Sequence, residues 1–149
     1  AGGLASLRKA AELDAGNPAV LTDLAAALYE GKQNDQVVAI LEKVTTAPGY
    51  ANPVGYLVFG AALMDKGAYG DAVPLLTRAA ELEPKWAEAH RRAAWALFGS
   101  IKKGCPCGPE DEQRVKQMKT HFDQMVALGA ADPNLKTRVD ALVDGQKVR

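Results

Sequence analysis

A 34-residue repeat constrains this chain more than any other feature, and its clearest copy spans residues 53–86. Gly60, Ala72 and Ala79 stand where two antiparallel helices need small residues at their crossing, and Pro84 stands where the second helix must end. Moving the register by one repeat finds apolar residues at the equivalent places, which are Leu24, Ala25, Val37, Leu41 and Val44 upstream and Ala93, Ala94 and Leu97 downstream. A period of this length is typical of stacked helical hairpins. The sequence therefore predicts an all-α fold.

Composition excludes several classes of function. Eighteen basic residues balance eighteen acidic ones, so the chain has no overall field that would attract nucleic acid or an anionic membrane. No stretch approaches the roughly 18 continuous apolar residues of a membrane span, and we expect no direct membrane insertion. Nothing in the sequence indicates a cofactor, and the compartment stays open between cytoplasm, which is slightly favoured, and periplasm.

Helix boundaries follow from local signals. Proline follows Asn17, Asn52, Gly108 and Asp132, and Asn or Asp before proline is a typical start of a helix. Glycine and proline supply the stops. The predicted helices lie near 3–15, 18–31, 34–46, 53–66, 69–82, 86–100, 110–128 and 134–144.

Two amphipathic stripes define the best repeat. Apolar or small side chains recur at helical spacing, with Tyr56, Phe59, Gly60 and Leu63 on the first helix and Ala72, Leu75 or Leu76 and Ala79 on the second. We expect Gly60 to let its helix approach Ala72 and Ala79. Pro74 lies inside the second helix and predicts a mild kink.

These residues resemble the tetratricopeptide repeat. The unit at 53–86 carries its pattern in Tyr56, Phe59-Gly60, Leu63, Ala72, Leu76, Ala79 and Pro84. The resemblance is also good for 18–52 and partial for 87–133, and it implies a right-handed α-solenoid of antiparallel helix hairpins. It predicts one domain of about three and a half repeats, whose segments are 1–17 (the second helix of a truncated repeat), 18–52, 53–86, 87–133 with a long loop at 99–109, and a capping helix at 134–149. On this interpretation the natural protein continues upstream of Ala1.

The resemblance also implies which side chains line the inner groove. In the family, the first helix of each hairpin lines a concave face, and some members grip an acidic chain terminus there with Lys and Asn. The corresponding places here hold Thr22, Ala26, Leu57 and Ala61, which do not support such a carboxylate clamp. The predicted partner-binding groove is instead apolar with an arginine rim, and its residues are Tyr29, Leu57, Ala61, Met64, Arg91, Trp95 and Phe98. Arg91 and Arg92 are the cations that could pair with a partner's carboxylate.

The predicted function is non-catalytic protein recognition. Such a groove suits an amphipathic helix or an extended segment with apolar anchors. The alternative for Leu57, Met64 and Phe98 is burial beneath a neighbouring helix of the same chain. We expect Trp95→Ala and Leu57→Asp to weaken binding with helicity intact, and collapse of both variants would assign these side chains to the core. Self-association into a homo-oligomer is the alternative function.

Cys105 and Cys107 form a Cys-Pro-Cys in the long loop, which is a weak candidate for a metal or redox site. Zinc would need about two further ligands, and the two histidines, His90 and His121, show no ligand spacing. We therefore predict no metal site and no enzyme.

Overall fold

The computed structural model describes residues 2–101 and 108–147, and within these ranges the chain forms eight α-helices and no strand. The helices are α1 Gly2–Leu13, α2 Pro18–Glu30, α3 Asn34–Val44, α4 Pro53–Asp65, α5 Tyr69–Leu82, α6 Ala87–Ser100, α7 Pro109–Ala127 and α8 Pro133–Lys147. Every helix begins and ends within about one turn of its predicted bounds. The predicted all-α fold is confirmed. None of the described helices is long and apolar enough to cross a membrane.

Side-chain caps explain why three inner helices begin where they do. The Asn17 Oδ1 accepts a hydrogen bond from the Ala19 backbone N–H at 3.0 Å, and the Asn52 Oδ1 accepts one from Val54 at the same distance. Asp132 caps α8 in the same way, because its Oδ1 accepts from the Leu135 backbone N–H at 2.9 Å. Each cap satisfies an amide that the helix leaves without a partner.

The helices form an inner and an outer layer. Each helix packs on the next along the chain, and α2, α4, α6 and α8 also contact one another in sequence. Among the described residues, α3, α5 and α7 make no such contacts with each other. Because the helices of one layer touch and those of the other splay apart, the stack curves around the inner layer. This is the right-handed solenoid that the repeat pattern predicts, with α8 as its closing helix.

Three apolar clusters hold the stack together, and each joins one hairpin to the next inner helix. The first lies between α2, α3 and α4, the second between α4, α5 and α6, and the third between α6, α7 and α8. Each cluster therefore depends on the neighbouring repeat, as expected for a solenoid.

Gly60 lets α4 and α5 pack closely, but the side chain that it contacts is not one of the two alanines that the sequence predicted. A Cβ on Gly60 would lie 2.5 Å from the Leu76 Cγ. Leu76, rather than Ala72 or Ala79, fills the space that the missing side chain leaves. Pro74 is accommodated within α5, which continues through it from Tyr69 to Leu82.

Candidate functional site

Two of the predicted groove residues belong to the core. Leu57 is 8% exposed and Ala61 is fully buried, and Leu57 packs in the cluster formed by α4, α5 and α6. The prediction that these two residues line an open groove is wrong. The reason is that α4 is apolar around its whole circumference and lies between α2 and α6, so that it has little free face.

An apolar pocket opens where the C-terminal ends of α4 and α6 meet the start of α5. Its volume is about 470 Å³, and its lining residues are Met64, Tyr69, Trp95, Phe98, Gly99 and Ile101. Met64, Trp95 and Phe98 were predicted from their places in the repeat, and the structure brings them together. The Trp95 and Phe98 rings meet edge to face, with centroids 5.8 Å apart, an arrangement that aromatic pairs favour.

Tyr69 and Ile101 were missed because neither occupies an inner-helix place of the repeat. Tyr69 reaches the pocket from the start of α5 because Gly99 has no side chain. A Cβ on Gly99 would lie 2.5 Å from the Tyr69 Cγ. The contact could have been predicted from two residues together: an aromatic residue at the start of one helix and a glycine near the end of the next.

Asp132 fixes the orientation of the Trp95 ring. The Trp95 indole N–H donates to the Asp132 Oδ2 at 2.9 Å, and Arg91 lies 3.4 Å from the same oxygen. Burial alone would raise the pKa of Asp132, but the Leu135 backbone N–H, the Trp95 indole and Arg91 together lower it. One ionised carboxylate therefore caps α8 and holds a wall of the pocket.

The two predicted rim arginines are paired within the chain. Arg91 donates through Nε and a terminal nitrogen to the two Glu88 oxygens, both at 2.8 Å, and these bonds lower the pKa of Glu88. Arg92 donates to Glu88 at 2.7 Å and to the Tyr29 hydroxyl at 3.1 Å. Both guanidinium charges are therefore already paired with a carboxylate of the same chain.

Arg138, which the sequence did not point to, lies over Phe98, one of the residues that line the pocket. Its guanidinium carbon lies 5.8 Å from the centre of the Phe98 ring, and the residue is exposed. Within residues 2–101 and 108–147, no carboxylate forms an ion pair with it. Arg138 is the sixth residue of α8, as Arg92 is of α6. This equivalence between the two helices could have identified Arg138 from the sequence.

The buried His90 and the half-buried His121 meet between α6 and α7, although their sequence spacing gave no sign of it. Their Nδ1 atoms are 3.0 Å apart, and His90 Nε2 lies 2.7 Å from the Pro84 carbonyl oxygen. Because a carbonyl only accepts, His90 Nε2 is the donor to Pro84, and the two facing Nδ1 atoms share one hydrogen bond. Burial and the neighbouring His90 lower the pKa of His121 to about 4.

Cys105 and Cys107 lie outside the described residues. In the part of the chain that is described, no group of three or more His, Cys, Asp or Glu side chains could hold a metal ion. The paired histidines also use their facing nitrogens for each other.

No protein-family model and no curated protein matches the sequence. Solved structures match by fold. The first TPR of Spaghetti (RPAP3), bound to the HSP90 peptide SRMEEVD, has a TM-score of 0.65 and 15% identity over 87% of this chain and 93% of that one. MamA has a TM-score of 0.73 and 13% identity over 98% and 78%. The TPR domain of Arabidopsis OM64 has a TM-score of 0.62 and 22% identity over 84% and 93%.

Proposed function

We propose that this chain, which has the tetratricopeptide-repeat fold, is a non-catalytic interaction module that binds a segment of a partner protein on its inner face. The pocket of about 470 Å³ between α4, α5 and α6 carries the proposal. Its volume lies within the range of ligand-binding pockets, roughly 300–1,000 Å³. Because aromatic side chains in a recess contribute strongly to binding, Trp95 and Phe98 are the proposed anchor site.

The walls of the pocket support binding because they are already positioned. Trp95 is held by Asp132, and Tyr69 lies against Gly99. A preformed pocket loses little conformational entropy when a ligand enters it. The RPAP3 domain, which is similar in fold and carries an HSP90 peptide, supports the choice of a peptide segment as ligand. The family's clamp for a terminal carboxylate is not supported here, because its places hold Thr22, Ala26, Leu57 and Ala61.

A random peptide library displayed on phage and selected on the 149-residue chain tests the proposal. Met64→Asp places a charge in the pocket and should weaken binding of the selected peptides by about tenfold or more. Val126→Asp is the matched control, because Val126 is 49% exposed and lines a separate recess between α7 and α8. Circular dichroism should show both variants folded.

Two results would contradict the proposal. One is a failure of the library to yield any specific peptide, and the other is equal binding by wild type and Met64→Asp. Sedimentation over a range of concentrations tests the alternative of self-association, because a peptide-binding monomer keeps a constant mass.

A further inference from the structure

A side-chain bridge spans the inner face between α2 and α6. The Arg92 guanidinium lies 5.9 Å from the centre of the Tyr29 ring and donates to its hydroxyl at 3.1 Å. Glu88 holds the other side of the same guanidinium at 2.7 Å. Since α2 and α6 each pack on α4 and not on each other, this bridge must pass over the inner face of α4.

The bridge divides the inner face. Leu57 and Ala61, which lie in the middle of α4, are buried and offer no anchor surface. Apolar surface stays open toward the two ends of α4: Val54 lies in a recess with Trp86 at its start, and the pocket of about 470 Å³ lies near its C-terminal end. A long amphipathic helix needs a continuous groove for anchors at i, i+3 or i+4, and i+7, and this face does not provide one.

Charge beside the pocket points to the chemistry of the partner. Arg138 lies over Phe98, is exposed and has no carboxylate partner among the described residues. Arg92 holds the equivalent place in α6 but is already paired with Glu88. The cation available next to the pocket is therefore Arg138, and it is complementary to an acidic group.

Resting on the function proposed above, we propose that the pocket takes a short extended segment with one large apolar anchor and a neighbouring Asp or Glu. The anchor enters between Trp95, Phe98 and Tyr69, and the acidic side chain pairs with Arg138. The carboxylate comes from a side chain rather than a chain terminus, because the family's terminal-carboxylate places are filled by Thr22, Ala26, Leu57 and Ala61.

A double-mutant cycle tests this chemistry with one peptide selected from the phage library. The first arm compares the chain with Arg138→Gln, and the second compares the peptide with its Asp→Asn or Glu→Gln form. We expect each single change to weaken binding about fivefold, and the double change to weaken it little further. Arg78→Gln is the control, since Arg78 is an exposed arginine on α5 that pairs with Glu81. Amidation of the peptide's C-terminus should leave affinity unchanged.

A proline scan tests the conformation. A segment bound in extended form tolerates proline next to its anchor, and truncation to the few residues around the anchor keeps its affinity. Several outcomes would overturn this inference while leaving the proposed function intact: anchors at helical spacing with loss of binding at every proline, indifference to Arg138→Gln, or loss of binding on amidation. If no selected peptide is sensitive to Met64→Asp, the inference and the proposed function both fail.

Discussion

The stack has a regular half, residues 18–82, and a divergent half, residues 87–147. Their inner helices are alike, but different side chains fill the contact between the inner and the outer helix of the hairpin. In the regular half, Gly60 admits Leu76, which is fully buried between α4 and α5. In the divergent half, the corresponding contact between α6 and α7 contains the His90–His121 pair, and α7 also carries the buried Asp111.

This difference affects where function can reside. Close apolar contacts bury Leu57 and Ala61 in the middle of α4, whereas α6 keeps Trp95 and Phe98 half-buried beside a pocket. α7 is also longer than α5, with 19 residues against 14. The repeat pattern therefore specifies the scaffold, and the departures from it supply the polar contacts and the open surface.

The largest expected effect lies in the regular half. Leu57→Asp should destabilise the fold by more than about 4 kcal/mol, because it removes a buried leucine and buries a carboxylate in its place. Thermal unfolding followed by circular dichroism measures this. Trp95→Ala in the divergent half should remain folded, and a folded Leu57→Asp with weakened binding would restore the original groove assignment.

The second-largest expected effect is a loss of stability at low pH that comes from His121 in the divergent half. The pKa of His121 is lowered from 6.5 to about 4, so the unfolded chain binds a proton in this window that the folded chain does not. Stability should therefore fall as pH falls from 6.5 toward 4, by about 3 kcal/mol in all.

Denaturant unfolding of wild type and His121→Gln across this range isolates the effect, since Glu81 and the other carboxylates remain in both. The difference in stability between the two proteins should shrink or change sign as the pH is lowered. A constant difference would show that His121 does not titrate in this way.

Substitutions of one helix cap in each half compare the two halves through smaller losses of stability. Asn52→Ala removes only a cap and should cost about 1 kcal/mol. Asp132→Ala removes a cap together with the partner of Trp95 and Arg91, and about 2 kcal/mol is expected. Tryptophan fluorescence should also change for Asp132→Ala alone. Equal costs with unchanged fluorescence would mean that Asp132 serves only as a cap.

Two glycines give the smallest expected effect. Gly60→Ala pushes against the buried Leu76, and we expect a net loss of about 1 kcal/mol after the gain in helix propensity. Gly99→Ala pushes against Tyr69, which is 36% exposed and can move away, so stability should hold while peptide binding weakens. Chemical denaturation and peptide titration separate these outcomes. If Gly99→Ala were less stable than Gly60→Ala, the prediction that the Gly60 contact matters more for stability would be wrong.

Helix boundaries were predictable from sequence because the signals that set them are local. Asn17 and Asn52 accept hydrogen bonds from amides two residues later, so the start of each helix is encoded within a few positions. The repeat pattern also placed Trp95, Phe98 and Met64 on the inner side. A fixed helix phase is enough to assign such positions.

The site itself was less predictable because its contacts join residues far apart in sequence. Whether Leu57 lines a groove or a core depends on how closely α2 and α6 flank α4, which no local pattern reports. The pairing of Arg92 with Tyr29 and of His90 with His121 likewise depends on packing between repeats. Sequence spacing carries no measure of those distances.

Chemical-shift mapping of a selected peptide on the isotopically labelled chain tests directly whether the pocket between α4, α5 and α6 is the binding site. The perturbed amides should cluster around the pocket, at Met64, Tyr69, Trp95, Phe98 and Gly99, and extend to Arg138. Tyr29 and the recess at Val126 should be unaffected. Perturbations along the whole of α2 and α4, or centred on α7, would contradict the account.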